Sequence, residues 1–453
     1  MTIRIETVET PSLGDRSYLA TDGELAVVVD PQRDIDRVLD LVDNLRVRVT
    51  HVLETHVHND YVTGGLELAQ RTGAAYVLPA DSGVGFDHVS ARDGQEIESG
   101  RMRLQVLHTP GHTYHHVSYA LAADDGQVQG VFTGGSMLYG AVGRTDLIGP
   151  DYTTDLSHAQ YHSIQRLARE LPADAAVLPT HGFGSFSSAT PTIGTSSTVG
   201  EQIRVNPALT LAEQEYVDNL LAGLDAYPAY YDQMGPINRR GPEPVDLSAP
   251  ATVDPSELRP RIEAGEWVVD LRDRTAFAAG HLSGTLGFEL SDNFVSYLGW
   301  LYRYGSPLTL IGDSEQQIVD ARRELVRIGI DDLAGAAVGG IETLAEGDPL
   351  RCYPVSDFAG LARAMDGGPV QVLDARGNDE RAKGYVRDSQ HVPLHELAER
   401  IEEIPEGELW VYCGSGYRAS IAASILDRPD RQVVLINDSY DAAKDVGLED
   451  ASP

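Results

Sequence analysis

Cysteine is nearly absent. Only Cys352 and Cys413 occur in 453 residues, so no disulfide framework exists and either thiol is free to do chemistry in a reducing compartment. Long apolar runs are also missing. None approaches the roughly 18 residues of a membrane span. The first residues, Met1-Thr2-Ile3-Arg4-Ile5-Glu6, lack the basic-then-apolar pattern of a signal peptide. A cytoplasmic location is therefore expected. Positive charge is scarce: 35 Lys and Arg stand against 69 Asp and Glu, a net charge of -34. Nucleic acid and anionic membrane both repel such a surface, so neither is expected as a partner. What remains is a globular composition, 42% hydrophobic and 23% charged, on a chain long enough for two to four domains.

Histidine stands at the ends of strand-like runs. Val49 to Glu54 has the β-branched and apolar content of a strand, and Thr55-His56-Val57-His58-Asn59-Asp60-Tyr61 follows it. A short helix opens at Gly64-Gly65. A helix is expected around Ile35 to Leu45, and strands at Ala75–Leu78 and Leu104–Leu107. The latter ends in His108-Thr109-Pro110-Gly111-His112-Thr113, and Ala176-Val177-Leu178-Pro179 ends in Thr180-His181-Gly182. Strand ends are where α/β folds place their chemistry. Three such ends bearing His56 with His58, His112 and His181 point to one metal site. Residues 185–200 read as a surface loop and Leu211 to Leu224 as a helix. Gly241 to Pro250 is a proline-rich connector.

Two later stretches repeat each other. Val268-Val269-Asp270-Leu271-Arg272 precedes Gly280-His281-Leu282; Val372-Leu373-Asp374-Ala375-Arg376 precedes Gly384-Tyr385-Val386. The second repeat then runs from a strand, Leu409–Tyr412, through Cys413-Gly414-Ser415-Gly416-Tyr417-Arg418 into a helical run from Ala419. A thiol between a strand and a helix start faces backbone N–H groups and the positive end of the helix dipole, and Arg418 adds a cation. These features stabilise negative charge on sulfur and make Cys413 a candidate nucleophile. The first repeat has Gly312-Asp313-Ser314-Glu315 at the same place, without a thiol, and reads as structural. Cys352 lies in a connector and reads as a bystander.

The histidine motifs, with Phe132-Thr133-Gly134, resemble the metallo-β-lactamase superfamily. Gly143-Arg144-Thr145-Asp146 narrows the resemblance to its glyoxalase II and persulfide dioxygenase branch. The Asp-x-Arg repeats and the Cys413 loop resemble rhodanese domains. The implied fold is α/β: an αββα metallo-β-lactamase sandwich over 1–245, then two small parallel-sheet rhodanese-like domains, 251–348 degenerate and 355–453 with the active-site cysteine.

The resemblance implies His56, His58 and His112 as ligands of a first metal, and Asp60, position 61 and His181 as ligands of a second. Tyr61 stands where the family has histidine, which argues against a full two-metal hydrolase centre. The persulfide dioxygenase iron set would be His56, His112 and a carboxylate after Phe-Thr-Gly, but Gly135 stands there. Either Fe(II) binds with Asp60 or water filling in, or zinc binds the three histidines His56, His58 and His112, or the metal is lost. Restoring the acid, Gly135→Asp, is expected to raise iron affinity unless the glycine serves backbone shape. Arg144 is the implied anchor for an anionic thiol. In the rhodanese loop Cys413 and Arg418 carry the catalytic roles, and Gly414, Ser415, Gly416 and Tyr417 hold the persulfide. Expected partners are small thiol persulfides, thiosulfate or sulfite, with homo-oligomer formation left open. The rival functions are a glyoxalase II-like thioester hydrolase and a sulfur carrier or scaffold whose metal site has lapsed.

Overall fold

The computed structural model describes residues 3–192 and 194–450; Met1, Thr2, Ile193 and 451–453, which the boundaries above include, lie outside it. The chain divides into two compact units, Met1–Asp246 with Glu324–Gly329, and Leu247–Arg323 with Ile330–Pro453. Among the described residues no helix is long and apolar enough to cross a membrane.

The first unit is built on two six-stranded sheets. In one, Arg4–Thr10, Asp15–Thr21, Leu25–Val29, Arg48–Leu53, Ala75–Pro79 and Val89–Ala91 lie side by side in chain order. The first three strands are antiparallel, and pairing is parallel from Leu25–Val29 onward. The other sheet holds Glu96–Ser99, Met102–His108, Val117–Ala122, Val128–Gly134, Ala176–Pro179 and Ser197–Thr198, also in chain order.

Alternation along each strand decides what faces what. In Leu25–Val29, Val27 and Val29 join Tyr18, Leu53, Leu104, Val106, Tyr119 and Phe132 in the core between the sheets. Ala26 and Val28 turn the other way, onto Val38 and Val42 of helix Asp36–Leu45 and Leu68 of helix Gly65–Thr72. Helix Pro150–Glu170 covers the outer face of the second sheet through Ile164 and Leu167. Four layers result, helix–sheet–sheet–helix. The expected helix at Ile35–Leu45 and strands at Ala75–Leu78 and Leu104–Leu107 are present within a residue or two. The 21-residue helix Pro150–Glu170 was not anticipated. The stretch 185–200 is not simply a surface loop. Ser187 is fully buried there, and Ser197–Thr198 pairs with Ala176–Pro179.

Among the described residues the second unit holds two all-parallel sheets and a small antiparallel pair, Tyr385–Val386 with Glu449–Asp450. One has the order Leu286–Gly287, Trp267–Asp270, Leu308–Gly312, Gly335–Val338. The other has Val355–Ser356, Arg431–Ile436, Gly407–Tyr412, Gln371–Asp374, Gln390–His391. The repeat seen in the sequence is a repeated buried fork. Arg272 bonds both Asp270 oxygens and donates to the Gly280 carbonyl at 2.8 Å; Arg376 bonds both Asp374 oxygens and donates to the Gly384 carbonyl at 2.8 Å. Each fork ties a central strand end to the turn after the following helix. Between the repeats, Asp427 accepts from His281 Nε2 at 3.0 Å and from Arg351 at 2.6 Å.

Candidate metal centre and thiol site

Strand Arg48–Leu53 ends at a sheet edge, and the chain turns at Thr55 because Asp30 captures it. Asp30 accepts from the Thr55 backbone N–H and its hydroxyl, both at 2.7 Å, and from the Thr180 hydroxyl. With its own proton given to Asp30, the Thr55 oxygen accepts from His56 Nδ1 at 2.9 Å, which leaves the Nε2 lone pair of His56 facing the cavity. His112 is placed by the Pro110-Gly111 turn and by Gln160, whose Oε1 accepts from its backbone N–H at 3.0 Å. Its Nδ1 donates to the Arg144 carbonyl at 2.7 Å, so its Nε2 is again the free atom. His181 Nδ1 lies 2.9 Å from Asp15 and 2.8 Å from Asp60. Its Nε2 is 3.3 Å from His56 Nε2. All of these side chains are buried.

Burial and the neighbouring imidazoles push His56 well below the ordinary range, and burial with nearby His181 takes His112 down to about 3. Both are neutral and ready to ligate. His181 moves the other way. Burial lowers it, but the charges of Asp60 and Asp15 outweigh that and raise it to about 10. The shared N–H favours Asp60, held down at about 2, while burial and repulsion from Asp60 lift Asp15 to about 7.

His58 is differently engaged. Its Nε2 meets Glu54 at 3.1 Å, Asp30 at 3.2 Å and the Tyr61 hydroxyl at 3.1 Å. The two carboxylates overcome burial and raise it to about 9. Tyr61 is fully buried and also donates to the Asp30 carbonyl at 3.3 Å.

Among the described residues three groups of side chains bring ligand atoms within 4.8 Å of one another: His56, His112 and His181; His58, Asp60 and His181; Asp30, Glu54 and His58. Four buried carboxylates, Asp15, Asp30, Glu54 and Asp60, surround the cluster, and His58 Nδ1, Asp15 Oδ2 and Asp60 Oδ1 have no hydrogen-bond partner. Buried charge of one sign and orphaned ligand atoms fit a cation.

Two expectations are altered. Arg144 is only 4% exposed, and its donors are committed to Asp146 and to the Phe186 and Asp225 carbonyls. It braces the loop that carries the His112 acceptor rather than offering a free anion anchor. The acid missing at Gly135 cannot simply be restored, because a Cβ there would fall 2.2 Å from His112 Cδ2. Asp15, Asp30, Glu54 and His116 escaped the sequence reading. His116 donates Nδ1–H to Thr109 at 2.9 Å and accepts the Gly135 N–H on Nε2 at 3.0 Å, stacked 5.0 Å from His56. Its place in the run Tyr114-His115-His116 after the Pro-Gly turn was the available signal.

In the second unit Cys413 ends strand Gly407–Tyr412 and is buried. The Gly416 N–H donates to its sulfur at 3.2 Å. Gly416 caps helix Tyr417–Leu426 with φ +89°, where an L side chain is strained, and a Cβ would meet Asn437 Oδ1 at 2.3 Å. Gly414 is half-buried and Ser415 exposed, which leaves the loop an opening. Arg418 is not an isolated cation. Glu380 grips it with both oxygens, one at 2.8 Å, and this ion pair keeps Glu380 low in spite of burial. The thiol-free repeat contributes a wall. The Tyr417 hydroxyl donates to the Glu289 carbonyl at 2.8 Å, Tyr297 packs 5.7 Å from the Tyr417 ring, and Trp300 stacks on His395 at 5.2 Å. Cys352 is exposed and outside this arrangement.

The metallo-beta-lactamase superfamily model matches residues 15–181, and the rhodanese-like domain model matches 358–445. The chain is 31% identical over 241 residues to human persulfide dioxygenase ETHE1, covering 52% of this chain and 82% of that protein. It is 34% identical over 160 residues to a hydroxyacylglutathione hydrolase of Methylobacillus flagellatus, covering 35% and 58%. A crystal structure of a metallo-beta-lactamase from Staphylococcus aureus superposes with TM-score 0.67 at 27% identity, over 75% of this chain and all of that one. With its histidine-bearing strand ends and its cysteine loop both accounted for, the chain belongs to the metallo-beta-lactamase superfamily, in its persulfide dioxygenase branch, carries a rhodanese-like domain, and is an enzyme of sulfur metabolism.

Proposed function

We propose that this protein oxidises a low-molecular-weight persulfide in its first unit and carries sulfane sulfur on Cys413 in its second. The observation that carries the reading is the pairing, in one chain, of inward-facing imidazole nitrogens with a thiol that accepts a backbone N–H at a helix start. A persulfide is a substrate both can use. Overall, RSSH with O2 and water gives RSH, sulfite and two protons.

Fe(II), held by His56 and His112 among its ligands, would supply the redox chemistry that lets dioxygen oxidise the terminal sulfur. The protein's part is to keep those imidazoles neutral and oriented, through Thr55 and Asp30 on one and the Arg144 carbonyl on the other. In the second unit the Cys413 thiolate attacks the terminal sulfur of RSSH, the S–S bond breaks, and RSH leaves with the proton. The Gly416 N–H holds the enzyme-bound persulfide anion. Sulfite then takes the outer sulfur as thiosulfate and returns the thiolate. The thioester-hydrolase rival is disfavoured because Tyr61 fills the second-metal position.

Oxygen-electrode traces with glutathione persulfide, with sulfite and thiosulfate quantified, test this. One O2 per two persulfides is expected where thiosulfate is the product, and Cys413→Ser should stop thiosulfate formation without stopping oxygen uptake, shifting the ratio to one O2 per persulfide with sulfite as the product. Sulfur transfer without oxygen uptake by the iron-loaded protein would leave only the carrier reading. Hydrolysis of a glutathione thioester in place of oxygen uptake would leave the hydrolase.

A further inference from the structure

We infer that the metal of the first unit is held by three imidazoles, His56, His112 and His181, with His181 standing in for the carboxylate that Gly135 cannot supply. The inference rests on the reading that this domain binds a metal, but not on which substrate it oxidises.

Geometry carries it. The ligand atoms of these three residues lie within 4.8 Å of one another. His56 Nε2 and His181 Nε2 are 3.3 Å apart. Two imidazole nitrogens each about 2.05 Å from one ion at a tetrahedral angle are about 3.3 Å apart. Each ring is already anchored through its other nitrogen: His56 on Thr55, His112 on the Arg144 carbonyl, His181 on Asp15 and Asp60. Such anchoring is what orients metal-bound histidine.

The alternative third ligands are each accounted for elsewhere, Asp60 among them, because its ligand atom groups with His58 and His181 and not with His56 and His112. No side chain fits at Gly135 while His112 stays in place. His58 has its Nε2 among Glu54, Asp30 and Tyr61, and its ligand atoms group with Asp60 and His181 or with Asp30 and Glu54 rather than with His56 and His112.

The charge consequence is specific. A two-histidine, one-carboxylate set lowers the charge of a divalent ion to +1, whereas three imidazoles, with the His181 Nε2 proton displaced to solvent as the ion binds, leave it at +2. Here the acids stand further out: Asp15 and Asp60 one hydrogen bond behind His181, and Asp30 two behind His56 through Thr55. The centre therefore keeps a strong preference for an anionic ligand, such as the terminal sulfur of a persulfide, without an anionic ligand of its own.

The test is metal content and X-ray absorption on full-length protein purified anaerobically and loaded with Fe(II) or Zn(II) alone. The native protein should hold one ion with three imidazoles in its scattering pattern. His181→Ala and His112→Ala should each lose at least about tenfold in affinity, whereas folded His58→Ala should stay within about threefold of native. Should His181→Ala fail to fold, the native absorption spectrum still decides, since two imidazoles plus a carboxylate oxygen would overturn the assignment. Metal lost from His58→Ala but kept by His181→Ala would overturn it too. A native protein that takes up no metal under either loading would remove the metal reading itself.

Discussion

A side chain at Gly135 should weaken metal binding, although the family places an acid there. A Cβ built at Gly135 lies 2.2 Å from His112 Cδ2 and 2.6 Å from Cγ, where ordinary contact begins near 3.4 Å. The ring must retreat by about 1.2 Å, well beyond what dispersion contacts tolerate. Its retreat pulls Nδ1 from the Arg144 carbonyl and Nε2 from the cluster. Overpacking of this kind costs about 1–3 kcal/mol. If ligand displacement relieves it, affinity falls about 5- to 150-fold. Gly135→Ala isolates the steric effect, and Gly135→Asp adds charge to it. Competitive titration with a chromophoric chelator gives both affinities, and circular dichroism reports whether the variants fold. Both should bind less tightly than native protein. A folded Gly135→Asp protein that binds Fe(II) more tightly than native would refute the packing argument and restore the missing acid as the limit on this site.

Further outcomes concern the second unit. Cys413→Ser should abolish transfer of sulfur to cyanide, while Cys352→Ser, exposed and remote from the loop, should leave the rate unchanged in the same colorimetric assay. Gly416→Ala forces a Cβ onto Asn437 at φ +89°; it should cost about 1–3 kcal/mol in thermal or urea unfolding and most of the transfer activity. Burial raises Asp374, but the hydrogen bonds and charge of Arg376 outweigh this and hold its carboxyl below the usual range. Its contribution is thus fully present above the unfolded value of about 4 and is lost as pH falls through the lower folded value. Asp374→Asn should lose about 3–5 kcal/mol at pH 7 by stranding Arg376, and its urea midpoint should depend less on pH below about 4 than that of native protein.

The sequence by itself determined the parts whose causes are local. Strand, Pro-Gly turn and histidine are neighbours in the chain, so three histidine-bearing strand ends were legible from pattern alone, as were the Cys413 loop and the repeated Asp-x-Arg. Apolar and β-branched runs also marked several of the strands that build the sandwich. Tertiary structure decided who partners whom. His181 meets Asp15 from 166 residues away, and Arg418 meets Glu380 from 38 residues away. No local signal reports such pairings. The first depends on which strand ends the two sheets bring to one edge, the second on which helix starts one parallel sheet sets side by side. For the same reason Arg144, a plausible anion anchor in the sequence, is consumed in the fold by Asp146 and by two carbonyls 42 and 81 residues distant. The emptiness at Gly135 was visible in the sequence as a missing acid. Only packing shows that the His112 ring fills the space, because a glycine's vacancy is defined by what comes to lie against it.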